Sequence, residues 1–262
     1  MATDIRPPAV AGMFYPGDPA ELTRLVEDLL AGAASSEPAP KAVIAPHAGY
    51  VYSGSTAAHA YARLRNREQP VERVVLVGPS HRVPFAGIAA PSLGYYETPL
   101  GRVPVDQEAI EGVVGSGDVH RFDPAHSEEH SLEVHLPFLQ VTLGRFRLVP
   151  LVVGLADGEA VGRALERLWG GPETQVVISS DLSHYLDYDT GRRRDRQTTA
   201  ALEALRGSEI GPEQACGALP IQGLLWVARR RGMQLRTLAL TSSGDAGGPL
   251  SRCVGYGAYV VD

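Results

Sequence analysis

The chain has 262 residues, a formal net charge of −6 at pH 7, 44% hydrophobic and 21% charged residues, which is ordinary for a soluble globular protein. A length of this order fits one large α/β domain, and no composition shift divides residues 1–262. The negative balance argues against a dedicated nucleic-acid binder. Cys216 and Cys253 are too few for a disulfide-rich secreted scaffold or a four-cysteine zinc site. No run of about 18 uncharged apolar residues predicts a membrane span. The charged, proline-containing start MATDIRPP is unlike a signal peptide. A cytoplasmic location is therefore expected.

Asp18-Pro19-Ala20-Glu21 predicts a helix start, with Asp18 as cap and Leu22, Leu25, Val26, Leu29 and Leu30 at helical spacing. Residues 31–41 read as a loop. Ala42–Ala45 is a short apolar strand ending at Pro46-His47, followed by a small-residue helix over 54–64. Val74–Val77 is a second buried strand, ending at Gly78-Pro79-Ser80-His81. Phe146–Val153 and Val176–Ile178 are further strands, the latter running into Ser179-Ser180-Asp181-Leu182-Ser183-His184. Helical patterns lie around 106–114, 131–141, 157–169, 192–206 and 220–231. Leu235–Leu240 and Val254–Val261 close the chain as strands. Apolar strands alternating with helices predict an α/β sheet covered on both faces, with ligands beyond the strands' carboxyl ends.

That rule directs attention to His47, His81, and Asp181 with His184, each just past a strand. Two imidazoles aimed into one crevice suit Fe, Zn or Cu. A third ligand is needed, and by chemistry alone Asp181, Glu133, Asp245, Cys216 and Cys253 are all open. Glu129–Pro137 places His130 and His135 among carboxylates, as acid–base or supporting groups. Asp181 and His184 are spaced to form an oriented Asp–His pair. His59, His120 and His126 read as structural. The small-residue loop Thr241–Gly248 lacks a P-loop ending and reads as a hairpin connection. Arg192–Arg194 and Arg229–Arg231 read as solvated helix faces. No G-x-S-x-G elbow supports a serine hydrolase.

Five segments in order resemble the Memo family, whose prokaryotic members are called AmmeMemoRadiSam system protein B. They are Arg6–Pro16, Ala45–Gly54, Gly78–His81, Glu129–Pro137 and Ser179–Tyr185, and the likeness runs on to Gly255–Ala258. The resemblance implies a single domain similar to the LigB-type class III extradiol dioxygenases, which bind Fe(II) with two histidines and a carboxylate. On that analogy His47 and His81 are ligands. A Ser-Ser-x-Cys segment supplies the third position in the animal protein, and Ser242-Ser243-Gly244-Asp245 here puts Asp245 in that place. His130, His135, Asp181 and His184 then match other pocket positions as acid–base or substrate-orienting groups.

The resulting expectation is a dioxygenase-like oxidoreductase holding a divalent metal, Fe(II) first, copper or zinc otherwise. Its ligand would be a small molecule or a peptide, and the family association implies radical SAM and AMMECR-type partner proteins. The alternatives are a non-catalytic binding protein, taking a phosphopeptide or partner, and a metal-dependent hydrolase.

Overall fold

The computed structural model describes residues 4–115 and 117–262. In chain order the strands and helices are β1 (Ile5–Arg6), α1 (Pro19–Gly32), β2 (Ala42–Ala45), α2 (Tyr50–Leu64), β3 (Arg73–Pro79), β4 (Ile88–Ala90), β5 (Tyr95–Thr98) and β6 (Gly101–Pro104). There follow α3 (Gln107–Glu111), β7 (Val119–Arg121), α4 (Pro124–Ser127), α5 (His130–Glu133), α6 (Leu136–Leu143), β8 (Arg147–Val153), α7 (Gly158–Leu168) and β9 (Thr174–Ser179). The last are β10 (His184–Leu186), α8 (Tyr188–Glu203), α9 (Ala218–Arg231), β11 (Leu235–Ser242) and β12 (Cys253–Val261).

β2, β9, β3 and β8 lie side by side and parallel. Each is a nearly continuous apolar run, and Val43, Ile44, Val75, Leu76, Val77, Val176 and Val177 are all buried. Such strands must be covered on both faces, and each buried branched side chain contributes roughly 1.5–3 kcal/mol. α1, α2 and α6 pack together as one cover, while α7 packs on α9 and α9 on β3 and β9. The antiparallel neighbours are β12 on β2 and β4 on β8. β11 also pairs with β12, so Thr241–Gly248 is, as expected, part of a hairpin connection. A separate small sheet has the order β1-β5-β6.

Capping follows the sequence. Asp18 Oδ1 accepts the Glu21 N–H at 2.8 Å and Asp157 Oδ1 that of Ala160 at 2.6 Å, each cap worth about 1 kcal/mol. Two of the expected helices need correction. The helix expected over 54–64 starts at Tyr50, since nothing between Gly49 and Gly54 breaks it. The helix expected over 131–141 is two pieces, α5 and α6, with Pro137 in the first turn of the second. The short strands β1, β4–β7 and β10 carry too few residues for a pattern. Among the described residues no helix is long and apolar enough to cross a membrane.

β2, β9 and β3 are adjacent and parallel, so their carboxyl ends open on one rim of the sheet. Past β2's end, β10 takes up the pairing with β12, through His184 opposite Val254. His47, Asp181, His81 and His184 are thereby delivered to the same rim.

Candidate metal centre

A cavity of about 1060 Å³ opens at this rim, lined by His47, His81, His130, Asp181, His184 and Cys216 among others. The ring centroids of His47 and His81 are 5.0 Å apart, and those of His81 and His130 4.8 Å. One ligand atom each from His47, His81 and Cys216 lie within 4.8 Å of one another, and so do ligand atoms of His81, Glu129 and His130.

Hydrogen bonding assigns the tautomers. His47 Nδ1 is 2.7 Å from Ser179 Oγ, whose own proton goes to the Ser131 carbonyl at 2.6 Å. A hydroxyl has one proton to give, so His47 Nδ1–H is the donor and Nε2 carries the free lone pair. His81 Nδ1 donates to Glu129 Oε1 at 2.9 Å, and Glu129 Oε2 accepts the His81 backbone N–H at 2.5 Å. His184 Nδ1 donates to the Leu182 carbonyl at 2.8 Å. In all three rings Nε2 is left as the unprotonated nitrogen, which is how protein partners prepare imidazoles for a metal.

Local geometry explains the convergence. Gly78 lets α5 press onto the end of β3, where a Cβ would stand 2.9 Å from Leu132 and 3.0 Å from Ser131 Oγ. Ser131 Oγ then donates to the Pro79 carbonyl at 2.7 Å. Gly217 does the same for the loop before α9, since a Cβ there would lie 2.5 Å from the Ser179 carbonyl oxygen. This brings Cys216 Sγ to 3.4 Å from His47 Nε2 and 3.3 Å from the Asp181 N–H. Asp181 Oδ1 accepts the His47 N–H at 2.8 Å, and its Oδ2 is 4.0 Å from His47 Nε2.

The electrostatics favour neutral bases. Burial drives His47 well below the usual imidazole range, helped by His81. Burial also lowers His130 to about 4. Burial raises Asp181 to about 6, against the His47 N–H bond that lowers it. The Cys216 thiol is pushed up to about 12 by burial and by Asp181. Burial alone would raise Glu129, but its hydrogen bonds with His81 outweigh that and hold it at about 2.

The remaining predicted positions separate clearly. Asp245 does not join the pair. It sits in the exposed β11–β12 connection, where Oδ1 accepts the Tyr188 hydroxyl at 2.6 Å and Oδ2 accepts the Ser242 N–H at 2.8 Å and faces Arg192 at 3.4 Å. Its expected place beside His47 and His81 is taken by Cys216. His135 also stands apart. It is buried in the core, with the Tyr61 hydroxyl at 2.5 Å from Nδ1. Burial lowers it to about 3. His130 lines the cavity, with Nδ1 3.4 Å from Glu129 Oε1. Of the histidines read as structural, buried His126 has Nδ1 2.6 Å from the Tyr96 hydroxyl. Sequence reasoning assigned no role to Glu129 and left Cys216 open.

A family profile described as "Memo-like protein" matches residues 6–260. The chain belongs to the Memo family. MEMO1 family proteins of Aquifex aeolicus and Aeropyrum pernix are 38% and 40% identical to it, the alignments covering 96% and 98% of this chain and 97% and 99% of theirs. One from Methanopyrus kandleri is 35% identical, covering 97% of this chain and 98% of its own. Among solved structures, an uncharacterized protein of Escherichia coli K12, JW3007, superposes with a TM-score of 0.52 at 12% identity, over 84% of this chain and 98% of that one. That likeness is one of fold. It fits the Memo-family sheet flanked by helices.

Proposed function

We propose that this Memo-family chain binds a divalent transition ion, Fe(II) first, between His47 Nε2, His81 Nε2 and Cys216 Sγ, and acts as a metal-dependent oxidoreductase of dioxygenase-like type. The observation that carries the reading is the set of committed Nδ1 hydrogens, which leaves unprotonated Nε2 atoms beside a thiol. Two imidazoles and a thiolate suit iron, zinc or copper. The cavity of about 1060 Å³ leaves room for a small molecule at the ion's open positions. A bound iron would supply Lewis acidity and one-electron chemistry there. Cys216 must give up its proton for ligation, so metal uptake strengthens as pH rises. Asp181, raised to about 6 by burial, holds or accepts a proton beside His47. His184, with Nδ1–H on the Leu182 carbonyl, presents Nε2 as a proton acceptor toward substrate.

The test is metal analysis of untagged protein, loaded anaerobically with Fe(II), Zn(II) or Cu(II). The expected result is one ion per chain, lost in His47→Ala and in Cys216→Ser. A wild type that retains none of the three overturns the reading. With Fe(II) retained, O₂ uptake with a panel of diphenols tests the oxidoreductase half; zinc retention without O₂ uptake favours a hydrolase.

A second reading rests on the cavity's mouth. Met13, Val51 and Tyr185 line it and are 72%, 75% and 62% exposed. An apolar rim of this kind suits a peptide or partner protein, for which radical SAM and AMMECR-type proteins are the family's candidates. Pull-down with those two partners, repeated with Val51→Asp, tests it.

A further inference from the structure

A second cavity, of about 480 Å³, shares His81, Arg82, Pro212 and Cys216 with the first. It therefore opens directly beside two of the proposed ligand residues. Its walls include Val83, Phe85, Val153, Leu155 and Leu219. The polar groups of these walls are engaged with each other. Ser80 Oγ donates to the Val83 carbonyl at 2.7 Å, the Leu155 N–H to the Phe85 carbonyl at 2.7 Å, and the Gly154 N–H to the Gly87 carbonyl at 3.0 Å. Gly154 lets the Phe85 segment pack closely against the end of β8, since a Cβ there would lie 2.3 Å from the Phe85 carbonyl oxygen. The groove thus offers apolar surface and few free hydrogen-bonding groups beyond the residues at its junction with the metal pocket.

The charge at that junction is specific. Two arginines line the larger cavity. Arg194 is paired with Glu213 at 3.4 Å. Arg82 is exposed and, among the described residues, has no carboxylate within ion-pair distance. It lines both cavities. Among the described residues Arg82 is thus the unpaired arginine at the junction, beside an apolar groove, and it favours an anionic group at that point over a second cation.

Resting on the metal-pocket reading, we infer that the ligand is an organic anion with an apolar arm. Its anionic group lies at Arg82 beside His81, and its hydrocarbon or aromatic arm runs past Cys216 into the Val83–Phe85–Leu155–Leu219 groove. Because His81, Arg82, Pro212 and Cys216 line both cavities, a molecule held at Arg82 has the apolar groove within reach on one side and the metal pocket on the other. A volume of about 480 Å³ is in the small-molecule range.

The test is calorimetric binding of butanoate, hexanoate, octanoate, octan-1-ol and octylamine to the full-length, metal-loaded protein. Affinity is expected to rise roughly two- to fourfold per added methylene along the acid series, the signature of hydrocarbon burial. Octanoate is expected to exceed octan-1-ol by about three- to fivefold, the value of an exposed ion pair, with octylamine weakest. Arg82→Gln should abolish the acid-over-alcohol preference and keep the chain-length dependence. Leu155→Asp, at a residue 77% exposed and so safe for folding, should flatten the chain-length dependence and leave butanoate unchanged. A flat acid series in protein that holds its metal overturns the inference and leaves the metal reading intact. A slope that survives Leu155→Asp also overturns it. A slope in protein that binds no metal keeps the groove and removes the metal reading.

Discussion

Glu129 and Glu133 stand four residues apart, both buried, and do opposite things. Glu133 serves the chain's beginning: it accepts from Arg6 and from the N–H groups of Ala9 and Val10 at 2.8 and 3.0 Å, and from the Tyr15 hydroxyl at 2.5 Å. Arg6 in turn donates Nη2 to the Glu129 carbonyl at 2.6 Å and Nε to the His126 carbonyl at 3.0 Å. The segment so pinned carries Phe14 against the His130 ring, centroids 5.0 Å apart. Glu129 instead uses its oxygens on His81 and the Ser131 N–H. One carboxylate fastens the pocket's wall and the other aims a ligand. The lesson is that burial of a carboxylate does not mark its role; the identity of the donors does.

The largest effect expected from breaking this comparison is on Glu133. Glu133→Ala leaves the Arg6 guanidinium buried without a counter-charge, which costs about 3–5 kcal/mol. Urea unfolding should show that loss, with metal content per folded molecule unchanged. Next comes acid. Burial lowers His126, beside Arg6, to about 4. Between pH 6.5 and about 4 the unfolded chain binds a proton there that the folded chain does not. Stability should therefore fall as pH drops through that window, by up to about 3 kcal/mol from this group. His126→Phe should reduce the slope of ΔG against pH, read from unfolding titrations. Third, Glu129→Gln should weaken metal binding about 10- to 100-fold while costing less stability than the change at 133. Competition with a chelator measures it. Smallest is Asp245→Asn: metal content unchanged, and stability within about 0.5 kcal/mol. A loss of metal in that variant would restore Asp245 as a ligand.

The sequence made some of this legible and hid the rest for physical reasons. His47, His81, Asp181 and His184 each follow a strand or its turn, and parallel strands deliver their carboxyl ends to one rim. Buried apolar runs are easy to see, so these four were found together. Asp245 follows a strand too, but β11 lies beyond β12, away from β2, β9 and β3, and periodicity does not reveal strand order. Cys216 follows no strand. It is placed by Gly217, whose missing side chain admits the Ser179 carbonyl, a contact no local pattern encodes. His135 looked like His130 because both share one short segment, yet the break between α5 and α6 turns His135 toward Tyr61.

The Ser131 carbonyl, the Ser179 hydroxyl and the His47 ring form a chain with a direction. Because the carbonyl can only receive, the hydroxyl faces one way, and the ring has no freedom to swap its two nitrogens. A turn of helix more than forty residues along the polymer from that hydroxyl thus dictates which nitrogen of the imidazole keeps its lone pair.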